Sequence, residues 1–429
     1  MARTARMCLF GILALAISFE ALCATYIWIK HDRFPYDSEV NGNPLPIAGL
    51  RVVEAVFHPY LGYVLRKGRE GDYINQTRWR ANNRGFHNLI GKDGQACCDY
   101  PYLAHDNEII VGVFGGSVGS GFALSAQISN RFSELSETGP WAGRKIRVLN
   151  FSLPGYKQPQ QLMALAYFLN IGQKFDIIIN IDGFNEAVTT FRNWKDDAEP
   201  NYPADSLWGA WGRHLELSDS SLNDLTRIRT SYHTAMAAYA HRASKLSKLA
   251  SFKLMHKAMA GWHEWRSPNQ PSKVAGAKGS SYFPTARLSS LPKDISIWEY
   301  AAERWALASI SMADMAQRTG AVYLHLLQPN QWDKSIGEYT PKDVNHPYDG
   351  VIEPVNKVYP LFKKQSLKLE DAGVNYIDLS RIFEKSEYRE NYIDDCCHYT
   401  QAGNERIFAE TIPVLKKYSK NVIPPQSNQ

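Results

Sequence analysis

Short runs of apolar residues alternate along the chain with longer stretches whose apolar residues recur every three or four positions. The short runs predict buried strands and the longer stretches predict amphipathic helices. The predicted strands are Glu108–Phe114, Lys145–Phe151, Phe175–Ile181, Ala321–Leu327 and Val374–Leu379. The predicted helices are Ala123–Leu135, Pro159–Leu169, Ile295–Arg318, Val351–Ala372 and Ala402–Lys417. Apolar strands alternating with helices indicate a parallel sheet covered on both faces, so the pattern predicts a three-layer α/β/α fold.

Two stretches depart from this alternation. Short apolar runs with turn signals between Leu50 and Ala104 predict an irregular or β-rich lead-in. An insertion separates the third and fourth strands, and part of it, Leu225–Trp265, has a helical pattern. We therefore predict a linker and lead-in over 30–106, an α/β domain over 107–420 with a helical insertion at about 190–292, and a tail over 421–429.

The N-terminus has a hydropathy pattern of its own. Met7–Ile29 is apolar and about long enough to cross a bilayer core of about 30 Å as a helix. Arg3 and Arg6 precede it, and Tyr26 lies near its far end as an interface residue. The pattern predicts a transmembrane helix over 7–29 and a cytoplasmic segment over 1–6. The bulk of the chain would face the periplasm or the exterior from a single pass of the inner membrane. A cleaved signal peptide, and hence a secreted protein, is the alternative.

Composition adds few constraints. The 429 residues are 44% hydrophobic and 21% charged, as in globular proteins, and the net charge is only +5. No nucleic-acid-binding motif accompanies that charge, so nucleic acid is not expected as a partner. The stretch Arg227–Lys257 carries seven basic residues and no Asp or Glu. It is either a solvated helix face or a surface for anionic lipid or an acidic polymer.

Four of the six cysteines form two adjacent pairs, Cys97–Cys98 and Cys396–Cys397. Neighbouring cysteines rarely bridge each other, but two such pairs can bridge crosswise when the fold brings them together. At least one long-range disulfide is therefore predicted, in keeping with an oxidising compartment. A zinc site made of the four thiolates is the competing interpretation, although zinc ligands normally have spacers between them.

A glycine-rich turn, Gly115–Gly121, follows the first predicted strand and contains Ser117. A serine there lies at the carboxyl end of a parallel strand and near a helix N-terminus, where α/β folds place ligands and where negative charge is favoured. Phosphate-binding loops occupy the same position. This turn lacks the lysine of a P-loop, and its glycine spacing fits neither GxGxxG nor GxSxG.

Asp395 and His398 lie between the last strand and the last helix. A histidine activates a serine only when a hydrogen-bonding partner orients its ring, and an aspartate three residues earlier can supply that partner. A structural histidine that caps the last helix is the commoner alternative. Gly155 and Asn185 follow the second and third strands, so both are expected at the same sheet edge as Ser117. With the Ser117 amide they can form an oxyanion hole, although each is also a common turn residue.

Taken together, Gly116–Ser117, Gly155, Gly183–Asn185 and Asp395–His398 resemble the ordered sequence blocks of the SGNH (GDSL-like) hydrolase superfamily. The resemblance implies a flavodoxin-like sheet and a catalytic triad. Ser117 would be the nucleophile and His398 the base. It implies that Asp395 orients His398, with Asp394 as an alternative of less suitable spacing, and that Gly155 and Asn185 donate to the oxyanion.

Two residues depart from the family pattern. Gly116 stands where the GDSL spelling has Asp, and Glu186 follows Asn185 where many members have Asp. Asp182 and Glu186 flank Asn185, and a capping or solvated role is expected for both.

The resemblance implies hydrolysis of an ester through an acyl-Ser117 intermediate, with an acylated carbohydrate of the cell envelope as the expected substrate. Transfer of the acyl group to a sugar hydroxyl by the same triad is the first alternative. A non-catalytic glycan-binding envelope protein is the second. No cofactor and no metal are expected, since the histidines show no metal-binding spacing, and the sequence leaves the oligomeric state open.

Overall fold

A computed structural model describes residues 15, 17–26, 29, 55–73, 77–91, 94–195, 198–204, 236, 240, 249–266, 291, 294–333, 350–384, 388–394 and 396–419. The chain divides into two compact units. One comprises Met1–Val53 with Arg213–Lys278, and the other comprises Glu54–Gly212 with Gly279–Gln429. The part of the predicted lead-in from Glu54 onward therefore belongs to the same unit as the sheet.

The larger unit contains ten strands within the described ranges. They are β1 Ala55–His58, β2 Gly62–Leu65, β3 Glu70–Tyr73, β4 Thr77–Ala81, β5 His87–Leu89, β6 Glu108–Gly115, β7 Lys145–Asn150, β8 Ile177–Asp182, β9 Val322–Leu327 and β10 Tyr376–Asp378. Strands β6 to β10 form one parallel sheet in the order β10-β9-β8-β6-β7. β1 and β2 form an antiparallel pair, and β3 to β5 form a separate antiparallel sheet.

The strand order places a crevice beside the end of β6. Counted from β6, the order is the 2-1-3-4-5 of flavodoxin-like sheets, and it reverses between β6 and β8. Ligands of open α/β sheets bind outside the carboxyl ends of the strands at such a reversal. Every residue of β6, β8 and β9 is buried, as their continuous apolar runs predicted.

The described helices are α1 Ser117–Ile128, α2 Gln160–Asn170, α3 Phe184–Lys195, α4 Ala250–Arg266, α5 Ile297–Thr319, α6 Ile352–Asp371, α7 Tyr388–Asn391 and α8 Gln401–Ser419. Helices α1 and α8 pack together, and α3, α5 and α6 pack together as a second group. The sheet and its helices agree with the predicted α/β/α architecture.

Helix α1 begins six residues earlier than its apolar pattern indicated. Gly119 and Ser120 have low helix propensity, so the sequence suggested that the turn continued through them. Both are buried instead, and a Cβ on Gly119 would lie 2.7 Å from Oγ of Ser152. The small residues let the first turn of α1 pack closely on the loop that follows β7, so tertiary packing overrides propensity here.

In the smaller unit, a carboxylate caps the N-terminus of helix α4. Residues 17–26 are helical, and the Glu20 carboxylate accepts the backbone N–H groups of Ala250 and, at 3.0 Å, of Ser251. Glu20, the one acidic residue of the predicted anchor, therefore caps the N-terminus of α4, where the helix dipole favours an anion. Cys23 and Ala24 pack against Ala250 in a small apolar cluster.

Within the described residues, no helix has both the length and the apolar character needed to cross a membrane. Residues 7–14, 16, 27 and 28 of the predicted anchor lie outside the described residues. The transmembrane helix therefore stays a prediction.

Candidate active site

Two glycines at the end of β6 bring Ser117 close to its neighbours. Gly115 has φ 156°, and a Cβ there would lie 2.4 Å from the carbonyl oxygen of Ile181. A Cβ on Gly116 would lie 2.1 Å from Nδ2 of Asn185 and 3.0 Å from the carbonyl oxygen of Tyr156. Only glycine leaves room for these approaches. Ser117 then opens α1, with its backbone amide at a helix N-terminus.

Ser117 and His398 lie within hydrogen-bonding distance although 281 positions separate them. Nε2 of His398 is 2.8 Å from Oγ of Ser117, and Nδ1 of the same ring contacts Oδ2 of Asp394. A carboxylate on Nδ1 fixes the tautomer in which Nε2 accepts a proton. The hydroxyl, imidazole and carboxylate thus form a continuous chain of three groups that can activate a nucleophile.

Asp394 also organises the loop that carries His398. Its Oδ1 accepts the backbone N–H groups of Cys396 and Cys397, each at 3.0 Å, and of His398 at 3.1 Å. Burial alone would raise the pKa of Asp394, but the His398 charge and these hydrogen bonds hold it at about 2. The carboxylate is therefore ionised at neutral pH.

The described carboxylate in contact with the His398 ring is Asp394, which the sequence offered as the alternative. Asp395, the predicted orienting residue, lies outside the described residues, so its role stays a prediction. The prediction preferred the three-residue spacing of the family pattern. Asp394 instead lies four residues before His398. Its Oδ1 accepts backbone N–H groups of the loop, and its Oδ2 contacts the His398 ring.

The predicted oxyanion donors converge on the same place. Gly183, with φ 131°, turns the chain after β8, and Asn185 follows in the first turn of α3. Nδ2 of Asn185 donates to the carbonyl oxygen of Tyr156 at 2.8 Å. That bond joins Asn185 to the turn containing Gly155, which has φ 81°. The structure therefore brings Asn185 beside Gly116 and ties it to the residue that follows Gly155. The donor roles themselves remain predictions.

Sequence reasoning missed the part that the lead-in plays. Tyr63 of β2 donates its hydroxyl to the carbonyl oxygen of Pro154 at 2.6 Å, and the Tyr156 hydroxyl donates to the carbonyl oxygen of Tyr63 at 2.6 Å. This reciprocal pair braces the turn that holds Gly155 from both sides. No local sequence motif predicts such a contact, because the two segments are more than 90 positions apart.

Asp182 is buried rather than solvated, contrary to the expectation from sequence. Its Oδ1 accepts from Nε1 of Trp305 at 2.6 Å and contacts Nε2 of His325 at 2.8 Å. Nδ1 of His325 contacts Oγ of Ser309 at 2.7 Å. These four side chains are all buried, so the network supports the end of β8 from inside the core.

The cysteine pairs do not bridge crosswise. Cys97 is bonded to Cys98, whereas Cys396 and Cys397 are free thiols with their sulfurs 3.0 Å apart. The described cysteines therefore show no long-range disulfide of the kind predicted from the sequence. Cys396, Cys397 and His398 are the one group in the described part of the chain whose ligand atoms are close enough for a metal ion. A metal there would take His398 away from Ser117 or Asp394, and burial raises the pKa of Cys397 well above its usual value, which disfavours a thiolate ligand.

No family model and no curated protein matches this chain. Among solved structures, it is similar to a GDSL-like lipase from Bacteroides thetaiotaomicron, with 9% identity, a TM-score of 0.33 and coverage of 74% of this chain and 89% of that chain. It is also similar to a proposed acylhydrolase from Bacteroides fragilis, with 9% identity, a TM-score of 0.31 and coverage of 72% and 88%. At this identity and TM-score the likeness carries no argument about what this chain does.

Proposed function

We propose that this chain is a serine ester hydrolase of the SGNH type that works through an acyl-Ser117 intermediate. One observation carries the proposal: Ser117, His398 and Asp394 form a continuous hydrogen-bonded chain at the topological switch point of the sheet. Distant segments bring these groups together in the order that nucleophilic catalysis needs. Asn185 and the turn containing Gly155 border the same serine and supply candidate donors to an oxyanion.

Acylation follows from this geometry. As Oγ of Ser117 attacks the ester carbonyl carbon, Nε2 of His398 takes the hydroxyl proton and the ring becomes cationic beside Asp394. The carbonyl oxygen gains negative charge, which the N–H groups of Ser117, Gly155 and Asn185 stabilise. The tetrahedral intermediate then collapses, the carbon–oxygen bond to the alcohol breaks, and His398 returns its proton to the departing alkoxide.

Deacylation repeats these steps with a second acceptor. His398 takes a proton from a water molecule as the water oxygen attacks the acyl-Ser117 carbonyl carbon. The bond between that carbon and Oγ of Ser117 then breaks, His398 returns its proton to Oγ, and a carboxylic acid leaves. A sugar hydroxyl in place of that water would make the enzyme an O-acyltransferase. The His398 and Asp394 side chains are 21% and 30% exposed, so the site is open to solvent.

An acylated envelope carbohydrate is the substrate that we propose, with the chain held at the outer face of the inner membrane by residues 7–29. The apolar length of that segment and its flanking Arg3 and Arg6 support the anchor. Alkaline carbonate washing tests this part of the proposal. The full chain should stay in the membrane pellet, and its release into the supernatant would contradict an anchor.

Ester turnover by the purified full chain tests the catalytic proposal. Wild type should release p-nitrophenol from p-nitrophenyl acetate, and Ser117→Ala or His398→Ala should lower kcat by about 10⁴- to 10⁶-fold. Ser133→Ala, an exposed serine of the same unit, is the matched control and should keep full activity. Turnover that survives Ser117→Ala would contradict the nucleophile assignment. Acyl transfer to an added oligosaccharide would identify a transferase. An inactive wild type that still binds acylated glycan would favour the non-catalytic alternative.

A further inference from the structure

Glu186, the residue after Asn185, is a buried acid for which the proposed chemistry has no role. It is 2% exposed and lies in the first turn of α3. Its two carboxylate oxygens accept three hydrogen bonds. Oε1 accepts from the backbone N–H of Gln158 at 2.9 Å and from Nε2 of Gln161 at 3.0 Å, and Oε2 accepts from the backbone N–H of Gly183 at 2.7 Å. Three hydrogen bonds therefore tie this one side chain to its neighbours.

Two of these bonds join the loops that carry the candidate oxyanion donors. Gln158 lies three residues after Gly155, in the loop that follows β7. Gly183 lies two residues before Asn185, in the turn that follows β8. One carboxylate therefore links both loops through their backbones. The Gly183 bond alone would be an ordinary helix cap, but the Gln158 bond reaches across to the other loop and does nothing for the helix.

A second set of contacts holds Gln158 in the same position. Its side-chain Nε2 donates to Oε1 of Gln161 at 2.7 Å and to Oδ2 of Asp182 at 3.3 Å. Gln158 and Gln161 are almost fully buried, so water cannot replace a lost partner. Disturbing Glu186 would leave buried N–H groups without acceptors, and the loops would have to shift to satisfy them.

Lys157 is a buried basic residue in the same region as Glu186. It is fully buried, and its Nζ donates to the carbonyl oxygen of Pro200. Burial lowers the pKa of Lys157 to about 7, while the charges of Glu186 and Glu199 raise it. Burial, with a smaller contribution from the nearby Asp182 charge, raises the pKa of Glu186 to about 8, although the backbone donors of Gly183 and Gln158 lower it. Burying ionisable side chains in this way costs desolvation free energy.

We propose that Glu186 is a positioning residue that holds the loop of Gly155 and the turn of Asn185 together, so that both donors point at the oxyanion formed at Ser117. The proposal rests on the proposed function, since it needs an ester carbonyl at that serine. Glu186 itself touches neither substrate nor the reacting atoms. Its contribution is the fixed geometry of the donors, which is worth most in the transition state, when the oxygen carries charge.

The test compares Glu186→Gln with Glu108→Gln in the full chain. Glu108 is the matched control because it is also a buried glutamate with several donors, including Tyr102 at 2.6 Å and Arg147 at 2.8 Å, but lies at the opposite end of β6 from Ser117. A glutamine at 186 keeps the shape of the side chain but turns an acceptor oxygen into an NH₂ group that opposes a backbone N–H.

We expect Glu186→Gln to lower kcat for p-nitrophenyl acetate by about 10- to 100-fold with KM changed less than about threefold. The inhibition constant of phenylboronic acid, whose serine adduct resembles the tetrahedral intermediate, should rise by a similar factor. Glu108→Gln should change neither quantity. Equal kcat in Glu186→Gln and wild type would overturn the proposal, and so would a kcat loss without a change in phenylboronic acid inhibition.

A second variant keeps the test decisive if Glu186→Gln fails to fold. Gln161→Met removes one donor to Oε1 while keeping an unbranched side chain of similar length, and it should lower kcat by about three- to tenfold with the same change in phenylboronic acid inhibition. An unchanged kcat in a folded Gln161→Met would then overturn the proposal. Failure of the proposed function would look different, since wild type itself would release no p-nitrophenol.

Discussion

A single methyl group added at Gly116 tests the geometry of the candidate active site. Gly116 has φ −86° and ψ −146°, so its φ does not by itself require glycine. The new Cβ would lie 2.1 Å from Nδ2 of Asn185 and 3.0 Å from the carbonyl oxygen of Tyr156. The Asn185 amide must move by about 1.3 Å to reach the shortest ordinary contact of 3.4 Å.

That movement separates Nδ2 from the Tyr156 carbonyl, which it now approaches to 2.8 Å, and takes the amide away from the oxyanion. Loss of one oxyanion donor costs about 10²- to 10³-fold in kcat, and a misplacement of about 1 Å alone can cost about 10²-fold. We therefore expect Gly116→Ala to lower kcat about 100-fold or more. Overpacking should also lower the free energy of unfolding by about 1–3 kcal/mol.

The assay is p-nitrophenyl acetate turnover by the full chain, with thermal unfolding measured on the same samples. Gly261→Ala is the control, because a Cβ on Gly261 meets nothing within 4 Å, and it should leave kcat unchanged. Gly116→Asp, which restores the GDSL spelling, should be at least as damaging as alanine because its Cβ meets the same atoms. A Gly116→Ala enzyme with wild-type kcat would refute the reasoning, and so would a gain of activity in Gly116→Asp.

Three further predictions follow from the same contacts. Asp394→Asn should lower kcat by about 10⁴-fold in turnover assays, as expected when the orienting carboxylate is lost, and a larger loss in Asp395→Asn would reverse the assignment. Burial would raise the pKa of Glu108, but Tyr102 and Arg147 hold it at about 2. The ionised Glu108 side chain therefore stabilises the fold above about pH 4.5, and this stabilisation is lost as the pH falls towards 2. The melting temperature of Glu108→Gln should therefore fall less between pH 5 and pH 2.5 than that of wild type, and parallel curves would contradict this. Because Asp394 is held by the backbone N–H of Cys397 and not by its sulfur, Cys397→Ser and treatment with dithiothreitol should both leave esterase activity nearly unchanged.

The sheet and most helices could be predicted from the sequence because their signals are local. Continuous apolar runs gave the strands within one or two residues, since a parallel strand is buried on both faces. Both ends of α5 also have local sequence signals. Ser296 and Glu299 form a capping box at its start, and Gly320, with φ 77°, ends the helix. The capping box involves residues only three positions apart, and the terminal glycine directly follows the helix.

The site could be predicted only in outline. The order of the sequence blocks indicated Ser117, His398 and Asn185, but spacing alone favoured Asp395 over Asp394. The choice depends on how the loop folds back to give Oδ1 of Asp394 three backbone donors. The contacts of Tyr63 with Pro154 and of Glu186 with Gln158 were missed for a related reason, since these partners lie on other loops and no local pattern predicts burial of a polar side chain.

Covalent labelling of the nucleophile tests the central claim most directly. The full chain is incubated with a biotin-linked fluorophosphonate, digested with trypsin, and the modified peptide is located by mass spectrometry. We expect a single phosphonyl adduct on Oγ of Ser117, formed much more slowly in Asp394→Asn because His398 no longer has the carboxylate that contacts its ring. An adduct on a different serine would contradict the account, as would an unmodified Ser117 in an enzyme that still releases p-nitrophenol.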